Sequence, residues 1–416
     1  MQVFKFGGAS VKDANGVRNL AKIAGKFNEP SVIVVSAMGK TTNAMEELVK
    51  AYFSRKENTM ALFQQMKKYH MDICEELFSK DHAIYPELDV LFFTLENKLY
   101  KDPSLDFNYE YDQVVSYGEL FSTRIVAAWL KECNLPGVWL DIRQYLKTDA
   151  KYREAEIDWD LSSQLISDYF KQNNNHIAVT QGFIGATVTN HTTTLGREGS
   201  DFTAAILANI LNAEKVVIWK DVPGILNADP QYFEATEKLN EISYREAIEL
   251  SYSGAKVIHP KTIKPLENKQ IPLHVKSFVE PDAEGTVIHR IDRLLQLQPV
   301  FILKQDQILL TISANDFSFI VEKNISQIFD VFAKCNIKVN MIQHSAINFS
   351  VAIDSPEGGL SCLIDNLLDS YDVRYNDGLE LITIRHFNEK AIEQVISNRE
   401  TYLEQKTRNT ARFLIK

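Results

Sequence analysis

Continuous apolar runs rich in β-branched residues, separated by amphipathic stretches of helical length, constrain this chain most. Ser31-Val-Ile-Val-Val35, Ile177-Ala-Val-Thr180 and Val216-Val-Ile-Trp219 are such runs. A strand with no polar alternation is one covered on both faces. Between them lie helical patterns, such as Tyr117 to Lys131 and Phe202 to Leu211. This alternation over about the first 290 residues predicts an α/β fold, a mainly parallel central sheet sandwiched by helices. Residues 45–115 read as an inserted helical layer without phosphate-loop signals.

The rhythm changes after the turn cluster Pro281-Asp-Ala-Glu-Gly285 and a last strand, Gly285-Thr-Val-Ile288, which puts a boundary near residue 295. Strands are predicted at Gln307–Ile312, Lys338–Ile342, Asn348–Ile353, Leu379–Ile384 and Ala411–Ile415. Helices are predicted over Ile325–Lys334, near 358–370 and near 388–407. The order is β-α-β-β-α-β, then β-α-β: an α+β ferredoxin-like module followed by a shortened second one. A length of 416 residues suits two or three domains rather than one core.

A net charge of −10 argues against a mainly electrostatic nucleic-acid binder and against a membrane-surface protein. Anionic substrates remain open, since a site needs only local cations. Cys74, Cys133, Cys335 and Cys362 are far apart, with no Cys-x-x-Cys. Their spacing suggests neither a zinc site nor a disulfide framework, and they read as thiols in a reducing cytosol. No signal peptide and no apolar run of about 18 residues is present, so a cytoplasmic protein is expected.

Several short motifs invite chemistry. Val3-Phe-Lys-Phe-Gly-Gly-Ala-Ser-Val11 joins a lysine-bearing strand, a bare-backbone turn and a helix start, with Ser10-Val-Lys-Asp13 in the pattern of a capping box. N–H groups, a helix end and Lys5 together suit a phosphate; an ordinary buried strand with a glycine turn is the plainer alternative. Ser36 to Asn43 follows a buried strand and could hold a carboxylate or phosphate, or merely start a helix. Glu119 in Tyr117-Gly-Glu119 is either a dipole-favoured surface residue or an acceptor for a substrate ammonium. In Thr194-Leu-Gly-Arg-Glu-Gly-Ser-Asp201, Arg197 suits bidentate capture of a carboxylate, and Asp201 is placed to orient a lysine such as Lys5. Trp219 to Pro230 is a turn-rich segment that could frame a nucleotide. Lys256 in Ser253-Gly-Ala-Lys-Val-Ile-His-Pro260 could reach one, while His259 reads as structural.

In this order and spacing, these six motifs resemble aspartate kinase, of the amino-acid kinase superfamily, over about residues 1–290. The tail resembles that family's regulatory ACT modules. The resemblance implies an amino-acid kinase catalytic domain over about 1–292 and an ACT-type region over about 300–416, its second module apparently truncated. It implies the reaction ATP + L-aspartate → ADP + 4-phospho-L-aspartate, the first step towards lysine, methionine and threonine. By motif position, Lys5, Gly7, Gly8 and Ser10 would face the phosphates, and Lys220, Asp221, Leu226 and Lys256 would line the nucleotide. Ser36, Thr42, Glu119, Arg197, Gly199 and Ser200 would line the aspartate site, with Arg197 on its α-carboxylate and Glu119 on its ammonium. Asp201 would orient Lys5. Mg²⁺ would arrive with ATP, with no all-protein metal site.

The implied partners are aspartate, ATP, a second copy of the chain through the ACT region, and an amino-acid effector such as lysine or threonine. Nothing after residue 416 could supply a homoserine dehydrogenase, which favours a monofunctional enzyme. Departures from the family pattern include Glu198 where glycine is common, Asn227, Ala228 and Gln231 near the nucleotide, Asn324 before a helix, and Asn340 and Ala346 in place of acidic residues. Two rival readings are another carboxylate kinase of the superfamily and a catalytically silent amino-acid sensor.

Overall fold

The computed structural model describes residues 1–26, 31–135, 137–173, 177–255, 258–293, 298–316, 318–356 and 359–416. They form two compact units. The first comprises Met1–Ile225, Lys238–Ile248 and Val257–Asp292; the second comprises Leu226–Glu237, Glu249–Lys256 and Arg293–Lys416. The second unit therefore takes up two short segments embedded in the first part of the chain.

The first unit begins with β1 (Gln2–Phe6), α1 (Ala14–Ala24) and β2 (Ser31–Val35). The helical layer follows as α2 (Thr41–Phe53), α3 (Thr59–Leu77), α4 (Ile84–Leu99), α5 (Phe107–Val115) and α6 (Tyr117–Glu132). Next come β3 (Gly137–Leu140), α7 (Trp159–Gln172), β4 (Ile177–Gln181), a small hairpin β5 (Ile184–Ala186) and β6 (Thr192–Thr194), and α8 (Gly199–Leu211). β7 (Lys215–Lys220), β8 (Glu241–Ser243), α9 (Tyr244–Tyr252), α10 (Pro260–Lys269), β9 (Leu273–Ser277) and β10 (Thr286–His289) complete it, α9 running out into the second unit.

Eight strands form one sheet in the order β3-β4-β2-β1-β7-β9-β10-β8. The pairs from β3 to β9 are parallel, and only β9–β10 is antiparallel. β2 and β4 are buried at every residue, which is why their sequences show no polar alternation. In register, Phe6 lies opposite both Val35 and Trp219, so β1, β2 and β7 end at the same edge. The loops carrying Gly7-Gly8, Ser36 and Lys220 leave from that edge.

The turn after β1 departs from the sequence expectation. Ser10 does not open a helix; Gly8–Val11 is a single 3-10 turn, and Asp13 caps α1 by accepting the Gly16 N–H at 2.8 Å. Ser10 instead turns inward, its hydroxyl 3.4 Å from the Trp219 carbonyl. Gly8 lies against the loop after β2: a Cβ there would be 2.7 Å from the Ala37 carbonyl oxygen and 2.8 Å from that of Gly39.

The second unit continues with β11 (Val300–Ala314), α11 (Glu322–Lys334), β12 (Val339–His344), β13 (Asn348–Asp354), α12 (Ser361–Leu367), β14 (Tyr371–Arg385), α13 (Glu389–Ile396), β15 (Thr401–Lys406) and β16 (Thr410–Ile415). Its sheet order is β12-β13-β11-β14-β16-β15, with all pairs antiparallel. The β12-β13-β11-β14 part has the ferredoxin-like arrangement. Apolar residues of α11 (Ile328, Phe332) and α12 (Leu363, Leu367) cover it. β11 and β14 are each fifteen residues long and pass through both halves of the sheet.

Two sequence expectations are corrected here. The stretch near 388–407 is not one helix: α13 stops at Ile396, Asn398 has a φ of +64°, and β15 follows. The second half of the sheet thus gains a strand. Thr401-Tyr-Leu-Glu-Gln-Lys406 carries its apolar residues too sparsely for the sequence pattern to separate it from a helix end. The cysteines are not all thiols either. Cys335, at the end of α11, is bonded to Cys362 on α12, while Cys74 and Cys133 are free. A separation of 27 residues hides a pairing that depends on two helices lying side by side.

Among the described residues, no helix is long and apolar enough to cross a membrane. The packing at Gly8 gives a direct test. Gly8→Ala should lower stability by about 1–3 kcal/mol, because two backbone carbonyls must move; urea denaturation of the variant against the parent measures it.

Candidate active site

The edge where β1, β2 and β7 end opens into a cavity of about 930 Å³ within the first unit. Its charged lining is mixed: Lys5, Lys151, Arg153, Arg197 and Lys220 face Glu46, Glu119, Glu154, Glu198 and Asp201. Such a wall suits a ligand carrying both signs, together with a polyanion.

Lys5 projects from β1 beside Asp201, in the first turn of α8, with Nζ 2.6 Å from Oδ1. Both side chains are nearly excluded from water (11 % and 4 % exposed). A charge in such a place is tolerated when paired. The pair fixes the ammonium at the strand end, where an incoming phosphate would meet it.

Glu119 lies in the first turn of α6 and is 2 % exposed, so it is not a surface residue. One carboxylate oxygen accepts the Ala37 N–H at 3.3 Å, and the other has no partner among the described residues. Burial pushes its pKa up to about 8. A carboxyl group that is poorly solvated and half-satisfied is well suited to receive a ligand ammonium.

Arg197 sits in the loop before α8, between Gly196 (φ +79°) and Glu198 (φ +55°). It lines the cavity and makes no ion pair among the described residues. Glu198 adopts a left-handed conformation without being glycine. Its carboxylate accepts the His259 N–H at 2.8 Å and is therefore engaged at the start of α10. The loop packs closely below: a Cβ on Gly199 would be 2.7 Å from the Phe183 ring, and one on Gly182 would be 2.4 Å from Ser200 Cβ.

Residues 1–277 match the amino acid kinase family. The chain belongs to the amino acid kinase family. Within it, the chain is 31% identical to the lysine-sensitive aspartokinase 3 of Escherichia coli over 399 residues, covering 92% of this chain and 86% of that one. It is also 31% identical to aspartokinase 2 of Arabidopsis thaliana over 370 residues. It spans only 32% of a bifunctional aspartokinase/homoserine dehydrogenase of the same plant. Among solved structures, E. coli aspartokinase III with lysine and aspartate superposes with a TM-score of 0.84 at 27% identity, covering 100% of this chain and 95% of that one. The structure of the same enzyme with aspartate and ADP gives the same TM-score.

Of the residues singled out from sequence, the amino acid kinase fold brings Lys5, Ser36, Thr42, Glu119, Arg197, Gly199, Ser200, Asp201 and Lys220 into one cavity wall. Gly7, Gly8, Ser10 and Asp221 are not part of that wall. Ser10 is a correction, since its hydroxyl faces the Trp219 carbonyl. Leu226 belongs to the second unit. Lys256 lies outside the described residues. Sequence reasoning missed Phe183, Tyr111 and Arg153, which also line the cavity. Phe183 (φ +68°) and Arg153 (φ +70°) have left-handed backbones that their residue types do not advertise.

Among the described residues, no group of three His, Cys, Asp or Glu side chains is placed to hold a metal ion.

The Glu119 pKa has a stability consequence. Its folded value of about 8 lies above the ordinary 4.5, so the fold favours the neutral carboxyl. That contribution is complete below pH ~4.5 and is lost as pH rises through about 8. The ligand-free protein should lose stability over that window, and Glu119→Gln should flatten the loss; thermal denaturation at a series of pH values measures both.

Proposed function

We infer that the cavity binds L-aspartate and ATP side by side and that the protein is an aspartate kinase. The observation that carries this is one wall holding a guanidinium with no ion pair among the described residues (Arg197), a buried carboxyl with one oxygen unpartnered among them (Glu119) and a strand-end ammonium fixed by Asp201. The first two match the α-carboxylate and α-ammonium of an amino acid; the third matches a phosphate. The relatives with aspartate and with ADP support the same pair of substrates.

The reaction needs little from the protein in the way of proton transfer. The acceptor β-carboxylate ordinarily titrates near pH ~3.9 and is ionised at neutral pH. One of its oxygens forms a bond to the γ-phosphorus. The bond from that phosphorus to the β,γ-bridging oxygen breaks, and ADP leaves with the electron pair. The obstacle is bringing an anion to a polyanion in line. Lys5 offsets that repulsion at the transferring phosphate, and Asp201 keeps Lys5 in place. Arg197 and Glu119 orient the amino acid, while Ser36, Thr42, Gly199 and Ser200 shape its site.

For the nucleotide we propose Lys220 and Asp221, with Gly7 and Gly8 offering backbone to the phosphates. Magnesium is proposed as the ion ATP carries, neutralising phosphate charge while keeping its own waters.

We assign regulation to the second unit, with lysine or threonine as the effector. Asn340, where some lysine-sensing relatives are acidic, is already engaged: it accepts from Lys304 at 2.8 Å and donates to Gln307 and Asp354. Dimerisation through this unit is proposed from the edge strand β12 and the exposed Phe319, Ile342 and Ile347 nearby in sequence. Residence in the cytoplasm is the matching proposal, and a reducing cytoplasm would open the Cys335–Cys362 bond.

Aspartyl phosphate trapped with hydroxylamine tests the function: aspartate should give product, and glutamate and N-acetylglutamate should not. Folded protein inactive on aspartate, yet binding lysine or threonine, would support a sensor instead. Lys5→Ala should lower kcat by about a hundredfold or more while the fold persists. Arg197→Ala should chiefly raise the KM for aspartate, by about tenfold or more.

A further inference from the structure

One buried acid near the cavity has no part in the scheme above. Asp112, on α5, is completely shielded from water. Its carboxylate collects three donors from two distant segments. Oδ1 accepts the Thr194 hydroxyl at 2.7 Å, and Oδ2 accepts the Thr194 N–H at 2.8 Å and the Arg153 N–H at 3.0 Å. A fourth bond closes the junction, from the Ala155 N–H to the Thr194 carbonyl at 3.0 Å. Both anchored residues line the cavity. Arg153 is held in a left-handed backbone, with its guanidinium 4.5 Å from the centre of the Tyr111 ring. Thr194 ends β6, and three residues later the chain reaches Arg197.

We propose that Asp112 is a positioning residue for the acceptor substrate: it clamps the Arg153 and Thr194 backbones together and so sets where Arg197 meets the cavity. This rests on the reading that Arg197 receives the aspartate α-carboxylate. The physical case is one of acceptors. A buried carboxylate has acceptor sites for three donors at once, and each bond to an ionised group is stronger than a neutral one. An amide could keep the three contacts only with its oxygen on the two N–H groups and its NH₂ turned to the Thr194 hydroxyl, and each bond would then fall to neutral strength. Burial pushes the Asp112 pKa up to about 6, so the charge is costly and the three donors are what sustain it. The helical layer is then more than a cover. Through α5 it fixes the segment that carries the acceptor arginine.

The test uses the full chain, with Asp112→Asn and Thr194→Val, assayed for aspartyl phosphate while aspartate and ATP are varied separately. Thr194→Val removes one donor at nearly constant volume, and decides the matter if Asp112→Asn fails to fold. The expected result is a rise of about tenfold in the aspartate KM for Asp112→Asn and about threefold for Thr194→Val. The ATP KM and kcat should stay within about threefold. A lowered melting temperature with unchanged aspartate KM in both folded variants overturns the proposal, because that is a purely structural role. So does a loss confined to kcat. If the parent protein itself does not phosphorylate aspartate, the underlying reading fails rather than the clamp.

Discussion

The ion pair between Lys5 and Asp201 ties the site to the fold. An ammonium at the end of the central strand and a carboxylate at the start of α8 meet at 2.6 Å with little water around either. Desolvating both is costly, and removing one would leave the other stranded. The pair persists because the parallel sheet delivers Lys5 there and the tight Gly196–Gly199 loop delivers Asp201. The surrounding features are conditions for that meeting: Gly8 lets the β1 turn approach the next loop, and Gly182 lets α8 approach the sheet.

Much of the first unit was legible because its strands are buried on both sides. Ser31–Val35 and Ile177–Thr180 leave no polar alternation to misread, and each is a strand in place. The tail was harder. The antiparallel strands β12 and β15 each keep exposed residues, and β15 was absorbed into a helix that ends at Ile396. Sequence separation alone says nothing about the packing of α11 on α12, so the Cys335–Cys362 bond was invisible. Ser10 shows a different limit. A capping-box pattern competes with Asp13, and Asp13 wins because the chain first makes a 3-10 turn.

The candidate site was legible where a side chain acts by its own charge. Lys5, Glu119, Arg197 and Asp201 were found by residue type and neighbours, and all four converge. What escaped were residues whose importance lies in what they hold. Phe183 and Arg153 owe their places to left-handed backbones, and Asp112 to donors about 41 and 82 residues away. Glu198 has a structural part that its residue type does not announce. It lines the cavity where glycine is common in the family, and its carboxylate also accepts the His259 N–H.

The two long strands of the second unit have a consequence for how that region can be divided. β11 and β14 each run fifteen residues, about 50 Å if fully extended, through both halves of the sheet. The halves are therefore not beads on a string. Neither half could be deleted, swapped or grafted without cutting these two strands in mid-sheet. The pairing is irregular in mid-strand: the β11–β14 register shifts between Lys304 and Leu309, and Asp306 (φ +54°) and Gly378 (φ +63°) have left-handed backbones there.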